Sequence, residues 1–131
     1  MIQTKEDYKY YLACDKAALG ISRKRPKFMN DYIWRFERAL RLCEYLLNCH
    51  REGVIIRKLA NYKYRSLGLK CGFEIPLNVF GPGLCLVHPG TVVVAGGAKV
   101  GKNCRIHEGV TIGATNGSNE AAIIGDNIRV R

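Results

Sequence analysis

From Val94 onward, aliphatic residues fall on every sixth position: Val94, Val100, Ile106 and Ile112, then Ile124 and Val130 after one omitted beat. A second column runs four residues behind, through Ala98, Cys104, Val110, Ala122 and Ile128. Small residues often follow the first column, at Ala95, Gly101, Gly113 and Gly125. A helix repeats near 3.6 residues and a strand repeats at two, so neither alone yields a period of six. Repetition at that period is the signature of short strands that wind round and stack, with aliphatic side chains inward and small residues at the corners. Three hexapeptides make one turn of such a winding, so residues eighteen apart should stack. On that count Val94, Ile112 and Val130 share one edge, and His88, Ile106 and Ile124 share another. The expected product is a parallel β-helix of little more than three coils between Phe73 and Arg131.

The rest of the chain is written differently. Thr4-Lys-Glu-Asp7 has capping-box form and precedes a stripe of Tyr8, Tyr11, Leu12, Ala18 and Leu19, which predicts a first helix stopped at Gly20. Ile21–Lys27 carries four basic residues and Pro26 and is expected to connect. Asn30 or Asp31 can cap a second helix with Ile33, Phe36, Leu40, Cys43, Leu46 and Leu47 on one face, ending near Arg51. A third helix is expected from about Val54 to Leu67, with Ile55, Ile56, Leu59 and Tyr62 as its apolar side and Gly68 as its stop. At Cys71 the composition changes: glycine, proline and β-branched residues replace lysine, arginine and leucine. Residues 1–71 are therefore expected to form a basic helical region and residues 72–131 the hexapeptide-repeat region, an α+β chain.

Charge follows the same boundary. Residues 1–72 hold 16 of the 21 basic residues and 7 of the 11 acidic ones. A solvated helical surface is the first expectation for such a half; an anionic membrane surface or a phosphorylated ligand is the alternative. No aromatic-basic motif accompanies the charge, so nucleic acid is not expected as a partner. No apolar run reaches the ~18 residues of a membrane span. The start of the chain lacks the layout of a signal peptide, which leads to an expectation of cytoplasmic location. The six cysteines form no CxxC pair, so they are expected as free thiols with no bound metal; Cys49-His50 is at most half a metal site.

Two histidines carry the chemistry. His88, in Leu86-Val-His-Pro-Gly-Thr91, can take a proton from a hydroxyl as a neutral imidazole. Glu74, fourteen residues earlier, is placed to orient it across the stack. Strict register puts His88 in phase with the inward columns, so a buried structural role stands beside the catalytic one until Pro89 and Gly90 are seen. His107 follows an inward isoleucine, is expected at a corner beside Glu108, and is a second candidate. The omitted beat falls in Thr115–Glu120, a polar segment containing Asn116-Gly117, read either as a simple bulge or as a lip over a binding cleft. No nucleophile elbow, phosphate loop or dinucleotide fingerprint is present.

Gly72-Phe-Glu-Ile-Pro, Gly81-Pro-Gly-Leu, Leu86-Val-His-Pro-Gly-Thr-Val-Val-Val and Val100-Gly-Lys-Asn-Cys-Arg-Ile-His-Glu-Gly-Val-Thr-Ile-Gly113, behind a basic helical part, resemble the serine acetyltransferase family. The likeness is greatest to the branch associated with bacterial surface-polysaccharide clusters. The resemblance implies a left-handed β-helix, apparently cut short at its C-terminal end. It also implies a homotrimer or dimer of trimers, with acetyl-CoA as co-substrate between neighbouring β-helices. His88 matches the family's catalytic histidine, and Glu74 falls within one residue of its partnering acid. Two departures bear on the acceptor. The family's enzymes of cysteine synthesis have Asp where Val87 stands, and they carry an Arg-His pair that Thr115–Ala121 lacks. The expected function is acetyl transfer to a hydroxyl of L-serine or of a sugar, the loop at Asn116 and Gly117 lining the acceptor or coenzyme cleft. The alternative is a catalytically inactive subunit with an assembly role.

Overall fold

A computed structural model describes residues 1–50, 53–114 and 121–131. Three helices come first: α1 (Lys5–Ala18), α2 (Tyr32–Cys49) and α3 (Val54–Cys71). Eight short strands follow: β1 (Phe73–Glu74), β2 (Cys85–Leu86), β3 (Val92–Val94), β4 (Lys99–Val100), β5 (Arg105–Ile106), β6 (Val110–Ile112), β7 (Ile123–Ile124) and β8 (Arg129–Val130).

The capping box forms as the sequence predicts. The Thr4 hydroxyl accepts from the Asp7 N–H, and the Asp7 carboxylate accepts from the Thr4 N–H. Asp31 is the N-cap of α2 but caps nothing with its side chain; its carboxylate instead accepts from the Arg23 guanidinium and the Lys27 N–H. That pairing, led by Arg23, holds the Asp31 carboxyl down at about 2.

The third helix departs from expectation in two respects. It runs through Gly68 to Cys71 and is capped by Gly72 at φ 80°. Gly68 serves close approach: a Cβ there would lie 2.9 Å from the Phe73 carbonyl oxygen and 3.3 Å from the Phe36 ring. The face packed inward is Ala60, Leu67, Gly68 and Cys71, with Ile55, Ile56, Leu59 and Tyr62 turned to solvent. Both faces of α3 are apolar, so periodicity alone cannot say which one meets the core.

The expectation of a left-handed parallel β-helix is corrected. The strands form three separate parallel ladders, β1-β3-β6, β2-β5-β8 and β4-β7, and the described residues show no closed or curled solenoid. Each strand is only two or three residues long and bonds to a strand one round away, while consecutive strands belong to different ladders. A six-residue period says which side chains point inward and which strands pair; it carries no information on closure or hand. The described residues thus form three helices followed by three small parallel sheets.

The inward columns are well placed as far as Ile112; beyond it Ala122, Ile124 and Val130 are only partly buried and Ile128 is 40% exposed. Val94, Ala98, Val100, Cys104, Ile106, Val110 and Ile112 are all buried in one core with Phe36, Leu40, Leu67 and Cys71 of the helices. Val92 and Val94 pair with Val110 and Ile112, the expected eighteen residues on. Past residues 115–120, which lie outside the described residues, the count shifts: Val100 pairs with Ile124 and Ile106 with Val130, six residues beyond the expected eighteen.

Polar residues of α2 hold the two halves together. Glu37, Arg41, Glu44 and Asn48 lie at helical spacing on a second face of α2, and the three charged ones are buried. Arg41 donates to the carbonyls of Phe80 and Gly81 at 2.9 and 2.8 Å, and to Asp15 and Glu44. Asp15 also accepts from the N–H groups of Gly83 and Leu84, Glu44 from that of Asn78, and Glu37 from that of Leu86. Backbone groups on the first round of the strand region, which have no earlier strand to pair with, thereby find partners on the helices.

Candidate functional site

His88 lies between β2 and β3. Leu86 pairs with Ile106 and Val92 with Val110. Five residues separate the first pair of positions on this round and three on the next, so the corner at Val87–Thr91 holds two more residues than the corner at His107–Gly109. The surplus is absorbed at Pro89 and at Gly90, whose φ is 153°. Leu86 takes the inward place that strict register would give His88, and His88 is exposed. The bulge is anchored at both sides: the Val87 N–H donates to the Ile106 carbonyl and the Gly90 N–H to the Cys71 carbonyl.

His107 follows Ile106 of β5 and occupies the corresponding corner one round later. Its ring is half-buried and lies edge-to-face with that of His88, the centroids 6.4 Å apart at 65°. Glu108 stacks beneath Gly90: a Cβ on Gly90 would come within 2.6 Å of the Glu108 Cβ. The two histidines named from the sequence are therefore brought together, with a carboxylate-bearing residue beside them.

Glu74 is not brought to them. It is exposed on β1, in register with Val93, and borders a groove of about 480 Å³ with Tyr64, Arg65, Phe73 and Pro76. Among the described residues no hydrogen bond or ion pair joins Glu74 to His88. Glu74 pairs with Val93, five positions past His88, so it lies on the ladder that follows the His88 corner and not at the corner itself. Asn116 and Gly117 lie outside the described residues.

The neighbours of His88 face a cavity of about 260 Å³, lined by Val87 and Pro89 on one side and by Leu19, Ile21, Asp31 and Trp34 on the other. Behind the corner stands Glu37, which sequence reading passed over. Its Oε1 accepts from the Leu86 N–H, and its Oε2 has no partner. Burial, and then the Asp15 carboxylate, push its carboxyl well above the usual glutamate range. The spacing of Glu37, Arg41 and Glu44 at i, i+4 and i+7 was the available signal: charges of both signs on one helical stripe imply a buried network as readily as a wet face.

The Cys85 thiol, next to Leu86, is pushed up by burial and by Glu37, and Cys104 is raised to about 11 by burial. Neither is a nucleophile at neutral pH. Among the described residues no group of three or more His, Cys, Asp or Glu side chains is placed to hold a metal ion. What the corner offers is an exposed imidazole with a second imidazole beside it, on rigidly paired backbone, which suits proton transfer to and from a small molecule. Comparisons with family models, with curated proteins and with solved structures gave no match.

Proposed function

We propose that this chain is an acetyl-CoA-dependent O-acetyltransferase in which His88 is the general base. The observation that carries the reading is the bulged corner. It turns an in-phase histidine out of the core and sets it beside His107, in the segment whose residues resemble the serine acetyltransferases. The neutral His88 imidazole removes the proton from an acceptor hydroxyl as its oxygen attacks the thioester carbonyl carbon. The carbon–sulfur bond breaks, and the departing thiolate takes the proton back from the imidazolium. The products are an acetyl ester and free CoA, and no outside oxidant or reductant is needed. His107 is positioned to hold the acceptor or to support the charged His88. Val87, in place of an acidic residue, favours a sugar over L-serine as acceptor, since no carboxylate directly precedes His88 to meet an ammonium group. We place the reaction in the cytoplasm, and in a homotrimer or dimer of trimers as the resemblance implies.

The separation of Glu74 from His88 favours a second reading, an inactive subunit with an assembly role. One experiment divides the two: CoA thiol release from acetyl-CoA by the purified chain, with serine and then a panel of sugars. Acceptor-dependent release that is lost in His88→Ala supports the transferase. No release from the folded wild-type chain with any acceptor overturns it.

A further inference from the structure

The solvent-facing side of α3 is apolar. Ile55, Leu59, Tyr62 and Leu69 are 75, 64, 74 and 86% exposed, and with Ser66 they follow i, i+4, i+7, i+11 and i+14 along one stripe. At 100° per residue, Lys58 and Arg65 flank this stripe on one side and Lys63 and Lys70 on the other. Val54 and Ile56 widen it at its start, at 58 and 47% exposure. From Val54 to Cys71 there is no acidic residue. The opposite side of the helix is already packed on the core through Ala60, Leu67 and Cys71.

We infer that this face of α3 docks on an anionic phospholipid surface. The stripe from Ile55 to Leu69 is about 21 Å long, and its large aliphatic and aromatic side chains are exposed, with nothing across from them among the described residues. Two kinds of occupant are disfavoured by charge and by chemistry. A second copy of the same face would bring four flanking cations against four. A nucleic acid would match the cations and leave Ile55, Leu59 and Leu69 exposed. A lipid surface carrying anionic headgroups meets both needs: the apolar stripe enters the headgroup–acyl boundary while lysine and arginine remain at headgroup level. The helix lies on the membrane and does not cross it, since no helix among the described residues is long and apolar enough to do so. The chain's net charge of +10 adds long-range attraction of the same sign. The inference is independent of the reaction proposed for His88.

Flotation of the full chain with vesicles tests it, using phosphatidylcholine alone and phosphatidylcholine mixed with phosphatidylglycerol. Binding is expected only to the mixed vesicles, and to weaken as salt is raised. Lys58→Gln and Lys63→Gln should each lower partitioning about fivefold. Leu59→Ser with Leu69→Ser should lower it at least tenfold, with an unchanged far-ultraviolet circular dichroism spectrum because both side chains face solvent. Absence of binding to the mixed vesicles overturns the inference. So does binding that survives the double leucine change, which would be charge attraction without insertion. An oligomer that the double change dissociates in sedimentation overturns it too, since the face is then covered by another copy.

Discussion

Leu86 lies in register beside Ile106, twenty positions later, where an unbroken six-residue count would place His88. The two extra residues are spent in the corner that follows. This displacement takes an imidazole out of the core and makes it available at the surface.

If His88 acts only as a base, removing it should leave the fold intact. His88→Ala should lower acetyl transfer by about 10²–10⁴-fold, with a change in unfolding free energy within about 0.5 kcal/mol, as for other surface sites. Steady-state thiol release and urea unfolding measure the two. His107→Ala should reduce turnover less, because the second ring stands beside the first, 6.4 Å between centroids, and is not the proposed base. A large stability loss in His88→Ala would instead assign the ring a packing role.

Gly90 should resist substitution. Its positive φ and the 2.6 Å approach to the Glu108 Cβ leave no room for a side chain. Gly90→Ala should cost about 1–3 kcal/mol. Gly96 gives the control, since a Cβ there would meet only the Pro76 ring at 4.0 Å. Gly96→Ala should be close to neutral in the same urea titration.

Arg41 should be among the most costly residues to replace. It is fully buried and is shared by Asp15, Glu44 and the carbonyls of Phe80 and Gly81. Arg41→Met leaves two carboxylates buried without their cation and should cost about 3–5 kcal/mol. Replacing Asp15, Arg41 and Glu44 together by apolar residues should not restore stability. The backbone groups of Asn78, Phe80, Gly81, Gly83 and Leu84 would still lack partners. Recovery in the triple variant, by thermal or urea unfolding, would show that the charges alone mattered.

Glu37 should make the fold less stable as pH rises. The folded chain keeps a proton that the unfolded chain gives up at the ordinary glutamate value of 4.5. The favourable contribution is therefore complete below that value and is lost progressively as pH climbs toward the raised folded value. Glu37→Gln removes the proton exchange and keeps an oxygen to accept from Leu86. Its stability relative to wild type should improve between pH 4 and neutrality. Urea titrations at the two ends that show a constant difference would rule out titration of Glu37.

Some elements were legible in the sequence for local reasons. The capping box of α1 needs only four neighbouring residues. The inward columns of the repeat need only a count of six, and every one of them from Val94 to Ile112 is buried. The helical stripe of α2 packs as its spacing requires through Phe36, Leu40, Cys43 and Leu46, while Leu47, on the same face at the helix end, is 47% exposed. The site was half legible: its histidines could be named, but the partner assigned to His88 by chain distance, Glu74, stands in another ladder.

By itself the sequence determined where helices give way to repeats, which aliphatic residues of the repeat turn inward as far as Ile112, and which side chains can carry a proton. These depend on short-range periodicity and side-chain chemistry. Tertiary structure alone decided four things: that the strands form three separate ladders in place of a β-helix, that Val100 and Ile106 pair six residues beyond the expected eighteen, that α3 turns Ala60 and Leu67 inward, and that His88 is exposed. Each is a choice between alternatives nearly equal in local energy. Two apolar faces of one helix, or two phases of one repeat, differ only in what lies across from them. The buried bonds from Asp15, Glu37, Arg41 and Glu44 to the backbone of the first round show how the helices and the strands come to fit.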